Sequence, residues 1–187
     1  MLKNKLIVLL HGWGRSQRTM KPLERHFKAL GYTVYNKTWK DMDTAVKDIR
    51  KFIMTGGIRE VRIIGHSLGG RRAIKLTREI PNISQIVLLA PPLDSKHRWH
   101  TVIHTLPKIV HNIIGKEVMA AIEGEQPKGL HLDKIDITAV IGKFDVLVDK
   151  LSATADYVNK FYFCRHRGHH GLLKELELIT KIIKELR

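Results

Sequence analysis

The sequence predicts an α/β fold in which about six mainly parallel strands are flanked by helices. Two observations carry that prediction: short apolar runs of strand length recur along the chain, and the stretches between them place apolar residues at helical spacing. A third is punctuation, since glycine or proline closes the early helical stretches. Leu6 to Leu10 is the first strand, five apolar residues that stop abruptly at His11-Gly12. Met20 to Leu30 follows as a helix closed by Gly31, and Thr33 to Asn36 as the second strand. Thr44 to Met54 is a helix stopped by Gly56-Gly57, and Val61 to Ile64 is the third strand. Gly70 to Ile80 reads as a helix ended by Pro81, and Ile86 to Ala90 as a strand. Ile137 to Ile141 and Tyr157 to Phe163 complete the strands, and Leu172 to Leu186 is the closing helix. Right-handed crossovers bring the C-terminal ends of parallel strands to one edge of the sheet. His11-Gly12, Ser67 and Ala90-Pro91 therefore share the edge where open α/β sheets bind ligands.

The alternation breaks between Pro92 and Asp136, a stretch too long for a simple loop. Trp99, Val102, Ile103, Leu106, Ile109, Val110, Ile113 and Ile114 recur there at helical spacing, with Pro107 marking a kink or a new start. Residues 93–135 are thus expected to form a small helical cap-like insertion, either over the site or packed as ordinary scaffold. His97, His100, His104 and His111 fall along one face of such a helix. No carboxylate or cysteine accompanies them at ligand spacing, so a solvated face is expected, and no metal.

At 187 residues the chain is expected to be a single domain, 1–187, with 43% hydrophobic residues. Lys3 and Lys5 before the run Leu6 to Leu10 superficially resemble a secretion signal. The run is too short for that, and cleavage after it would remove the first strand. The lone Cys164 forms no internal disulfide, and no run approaches membrane-spanning length, so a soluble, cytoplasmic protein is expected. The formal charge of +15 raises nucleic acid, anionic lipid and acidic substrates as partners. Arg15, Arg18, Lys21, Arg25 and Lys28 fall on one predicted helix and Arg71, Arg72, Lys75 and Arg78 on another. No nucleic-acid motif or interleaved aromatic pattern goes with them. Peripheral contact with anionic surfaces is expected rather than specific nucleic-acid binding, and oligomeric state is left open.

Function is concentrated in Gly65-His66-Ser67-Leu68-Gly69, set between the strand-like Val61 to Ile64 and the helical run after it. That is the context a G-x-S-x-G nucleophile elbow needs, with glycines where a tight strand-to-helix turn leaves no room for side chains. Upstream, Leu6-Ile7-Val8-Leu9-Leu10-His11-Gly12-Trp13-Gly14 is a strand ending in a glycine-containing loop. The phrases "LLHGWGRS" and "GHSLGG" resemble the oxyanion loop and elbow of compact esterases and lipases of the α/β-hydrolase superfamily, and the order of elements agrees over nearly the whole chain.

A serine hydroxyl is a poor nucleophile at neutral pH and needs a histidine to take its proton and a carboxylate to orient that histidine. The resemblance implies the order serine, acid, histidine. Gly142-Lys143-Phe144-Asp145-Val146-Leu147-Val148 is similar to the family's acid loop and aligns Asp145, with Asp149 as runner-up on the same loop. Gly168-His169-His170-Gly171-Leu172-Leu173 aligns His169 as the base, with His170 the alternative. His66 is set aside, because the residue before the serine packs beneath the turn. For the oxyanion hole the backbone N–H of Leu68 follows from its place after the nucleophile, and that of Trp13 from the resemblance.

The expected activity is that of a serine hydrolase cleaving carboxylic esters through an acyl-enzyme intermediate, on a small-molecule or lipid ester and without a cofactor. Two alternatives stand beside it. One is a non-catalytic basic interaction module on the same scaffold; the other is a thioesterase or amidase using the same triad.

Overall fold

The structure, a computed structural model, describes residues 2–39, 41–93, 132–145, 147–148 and 153–185. The apolar runs become β1 (Lys5–Leu10), β2 (Thr33–Asn36), β3 (Glu60–His66), β4 (Ile83–Leu89), β5 (Asp136–Gly142) and β6 (Lys160–Cys164). They form one sheet in the order β2-β1-β3-β4-β5-β6, and every pairing is parallel. The helices are α1 (Lys21–Ala29), α2 (Met42–Thr55), α3 (Leu68–Leu76) and α4 (Leu176–Lys184).

A strand buried on both faces sends alternate side chains to opposite layers. Leu6, Val8 and Leu10 of β1 pack with Ile49 of α2 and with Ala73, Ile74 and Leu76 of α3. Ile7 and Leu9 face the other way, onto Leu23 and Phe27 of α1 and onto Ile179, Ile182 and Ile183 of α4. Each such side chain contributes roughly 1.5–3 kcal/mol of burial. The continuous apolar character of β1 is thus the signature of a central strand.

Several element boundaries differ from the sequence reading. β3 begins at Glu60 and β4 at Ile83, because polar side chains in those strands have partners. Arg62, 3% exposed, pairs with Glu60 at 2.6 Å and donates to the Ile183 carbonyl. Gln85 donates to the Ile182 carbonyl at 2.8 Å. Both satisfy carbonyls near the C-terminal end of α4 and fix that helix to the sheet. α3 starts at Leu68, directly after the serine, and ends at Leu76 rather than running to Ile80. Arg15 lies in a loop before a 3-10 turn and Arg78 lies beyond α3, so neither predicted basic row is a single helical face. The closing helix is broken: a 3-10 turn at Gly171–Lys174 precedes α4, and Glu175 between them has ψ 55°. Arg167 holds the Glu175 carboxylate at that break. β6 is shorter than predicted, since Val158 closes a turn onto the Ala155 carbonyl at 2.9 Å before the strand begins.

The cap-like segment, 93–135, falls outside the described residues except at its two ends. No helix among the described residues is long and apolar enough to cross a membrane.

Candidate active site

The turn from β3 to α3 is possible because three backbones meet there without side chains between them. A Cβ on Gly65 would lie 2.7 Å from the Gly70 Cα, and one on Gly69 would overlap the Leu10 carbonyl. Ser67 sits between them at φ 53° and ψ −127°, a region that L-residues rarely adopt. Its N–H donates to the Leu89 carbonyl at 2.8 Å and its carbonyl accepts from Gly70 N–H at 2.8 Å, so the strained residue is held from both sides. Leu68 is the first residue of α3, and a first-turn N–H has no acceptor within its own helix. The positive end of the helix dipole lies at the same place.

The loop after β1 packs directly on this turn. A Cβ added to Gly12 would lie 3.1 Å from the Ser67 Cβ, so a side chain there would crowd the serine. His11 is buried, and its Nδ1 donates to the Gly12 carbonyl at 2.8 Å. Burial lowers the His11 pKa, the Gly12 carbonyl offsets part of that, and the nearby Arg72 charge adds to it. Trp13 is 45% exposed at the rim.

Asp145 and His169 arrive from two loops that are zipped together. Lys143 N–H donates to the Cys164 carbonyl at 2.9 Å and Phe144 N–H to the Arg167 carbonyl at 3.1 Å. Gly142 permits the approach, because a Cβ there would lie 2.5 Å from the Arg167 carbonyl oxygen. His169 Nδ1 then donates to Asp145 Oδ2 at 2.8 Å, with side chains 7% and 1% exposed. Asp145 Oδ1 accepts from Leu147 and Val148 N–H, each at 2.9 Å. Burial pushes the Asp145 carboxyl upward, yet the His169 hydrogen bond and the two backbone donors outweigh it, and its pKa ends below the ordinary value. Asp149 falls outside the described residues, as do His97, His100, His104 and His111.

His66, fully buried, packs under the turn and also does more than fill space. Its Nε2 donates to the His169 carbonyl at 3.0 Å, tying the His169 backbone to the strand that carries Ser67. Burial lowers the His66 pKa to about 4, so the ring is neutral at ordinary pH. His170 is exposed, and its Nε2 accepts from Arg15 at 3.0 Å. Desolvation, then the His169 and Arg15 charges, lower the His170 pKa. The sequence reading missed the Arg15 contact and the anchoring role of His66. The signals available were the position of His66 next to Ser67 and that of Arg15 three residues after Gly12.

Comparison with known proteins bears on the family and the fold. Residues 3–134 match the family model described as serine aminopeptidase, S33, a span that includes the elbow and ends before Asp145 and His169. No curated protein matches the sequence. Among solved structures, an esterase from Exiguobacterium antarcticum is similar with TM-score 0.71 and 17% identity, over 98% of this chain and 92% of that one. A Pyrococcus furiosus esterase gives 0.69 and 17%, over 98% and 83%. A hydrolase from Oleispira antarctica gives 0.69 and 14%, over 97% and 91%. At such identities the likeness establishes the fold alone.

Proposed function

We propose, for a chain that belongs to the serine aminopeptidase (S33) family of the α/β-hydrolase superfamily, that this hydrolase cleaves carboxylic esters through an acyl-enzyme intermediate. The observation that carries the proposal is the buried Asp145–His169 pair, closed at 2.8 Å beside the strained Ser67 turn. With Nδ1–H committed to Asp145, His169 keeps its lone pair at Nε2, the tautomer a general base requires. Ser67 Oγ attacks the ester carbonyl carbon while His169 Nε2 takes its proton. The carbonyl oxygen becomes an anion, met by the N–H groups of Leu68 and Trp13 and by the α3 dipole. Collapse expels the alcohol, which receives the proton from His169. Water, deprotonated by the same nitrogen, then releases the acid and restores Ser67.

The exposed Trp13 gives the rim a flat apolar wall, which fits a small-molecule or lipid ester. The basic surface favours substrates presented at anionic interfaces. The single cysteine fits a cytoplasmic setting. The test is hydrolysis of p-nitrophenyl esters of increasing acyl length beside aminoacyl p-nitroanilides, for the wild-type chain and Ser67→Ala. Ester turnover that Ser67→Ala abolishes is expected. Turnover confined to the anilides would replace the ester reading with a peptidase one, and no turnover on either series would favour the non-catalytic alternative.

A further inference from the structure

Three imidazoles meet at the sheet edge, and the proposed chemistry uses one of them. His66, His169 and His170 each offer one ring nitrogen, and these three nitrogens all lie within 4.8 Å of one another. Their ring centroids are 4.7 Å, 5.4 Å and 5.1 Å apart. Three imidazoles are a donor set that zinc takes, with Zn–N distances of about 2.0–2.1 Å and hence nitrogens about 3.3 Å apart in a tetrahedral site.

The hydrogen bonds fix where the lone pairs are. His66 Nε2 donates to the His169 carbonyl, so its lone pair is on Nδ1, which is buried and has no partner among the described residues. His169 donates from Nδ1 to Asp145, which leaves Nε2 as the acceptor. A carboxylate behind a histidine is also the arrangement that orients metal-binding imidazoles and strengthens them as donors. His170 spends its lone pair on Arg15, whose guanidinium can only donate. His170 is exposed, so it is the ring free to move inward once Arg15 lets go.

We propose that His66, His169 and His170 form a binding site for a divalent cation of the zinc type, and that occupying it withdraws His169 Nε2 from catalysis. The cation would inhibit reversibly by taking the lone pair that accepts the Ser67 proton. Arg15 opposes it, because metal and guanidinium compete for the same His170 lone pair. The inhibition rests on the hydrolase reading above, whereas the binding site does not.

The test separates the two by measuring zinc binding calorimetrically on Ser67→Ala, where no turnover is needed. One zinc ion is expected to bind, and magnesium is expected not to. Adding His170→Ala removes a ligand and should weaken zinc about tenfold or more. Adding Arg15→Gln removes the competitor and should strengthen binding severalfold. In the wild-type chain, zinc should suppress ester turnover over the range in which it binds, and EDTA should restore it. Zinc affinity unchanged by His170→Ala would put the cation elsewhere on this histidine-rich chain and overturn the proposal. Zinc binding that leaves turnover intact in an active enzyme would overturn the inhibitory step. If Ser67→Ala binds zinc in the predicted order and the wild-type chain hydrolyses no ester, the site stands and the reading of function fails.

Discussion

Asp145→Asn isolates orientation of the base from integrity of the loop. Asp145 Oδ1 accepts two backbone N–H groups at 2.9 Å, and Oδ2 accepts one bond from His169 at 2.8 Å. Asparagine has a single acceptor oxygen. Directed at Leu147 and Val148 it keeps two bonds; directed at His169 it keeps one and opposes its NH2 to two N–H donors. The first orientation is favoured by about 1–3 kcal/mol for the bonds at stake, and it presents NH2 to His169 Nδ1. His169 must then accept at Nδ1 and carry its proton on Nε2, the nitrogen whose lone pair the proposed mechanism needs. In an unrelated serine-protease triad this exchange costs about 10⁴ in turnover, or about 5.5 kcal/mol of barrier, and a loss of that order is expected here. Stability should fall less than in the alanine variant, because the loop bonds survive although the charge is lost. Asp145→Ala, by contrast, strands the Val148 N–H at a cost of about 2 kcal/mol, lowering Tm by about 4–8 °C. The assay is ester turnover beside thermal unfolding for both variants. An Asn variant that retains more than about a tenth of wild-type turnover would refute the role given to Asp145.

Ser67→Gly should abolish turnover and raise Tm by about 2–6 °C, because glycine accepts the φ of 53° that serine holds under strain; a fall in Tm would show that the elbow stores none. His169→Ala should nearly eliminate turnover, whereas His170→Ala should change the rate only modestly; the reverse pattern moves the base to His170. The depressed pKa of His66, about 4, means that the unfolded chain binds a proton which the fold refuses. Its contribution is therefore fully present above about pH 6.5 and is lost as pH falls toward 4, by about 3 kcal/mol, so urea unfolding of His66→Asn should show a shallower slope across that window. The Asp145 contribution, from a lowered carboxyl pKa, is lost only as pH falls below about 4.

Hydrophobic runs made the sheet legible, since a strand covered on both faces must be apolar at nearly every position, as Leu6 to Leu10 is. The same signal understates β3 and β4, whose Glu60, Arg62, Ser84 and Gln85 belong to the ladder because other parts of the chain satisfy them. The break at Glu175 was hidden for a related reason: it depends on Arg167, across the loop that carries His169 and His170. Ser67 was readable because the elbow is a local constraint that glycines on either side record. Asp145 and His169 were legible as strand-end and loop positions, though their hydrogen bond depends on Gly142 admitting the Arg167 carbonyl. Arg15 and His170 are 155 residues apart, and no local pattern encodes a contact between two loops that only the finished sheet brings together.

The central claim is that Ser67 is a nucleophile activated by His169, and covalent labelling tests it most directly. The wild-type chain and His169→Ala should be treated with a fluorophosphonate probe, digested, and mapped by mass. A single adduct on the peptide containing Ser67, nearly absent in His169→Ala, is the predicted result. An adduct on another residue, or equal labelling of Ser67 without His169, would contradict it.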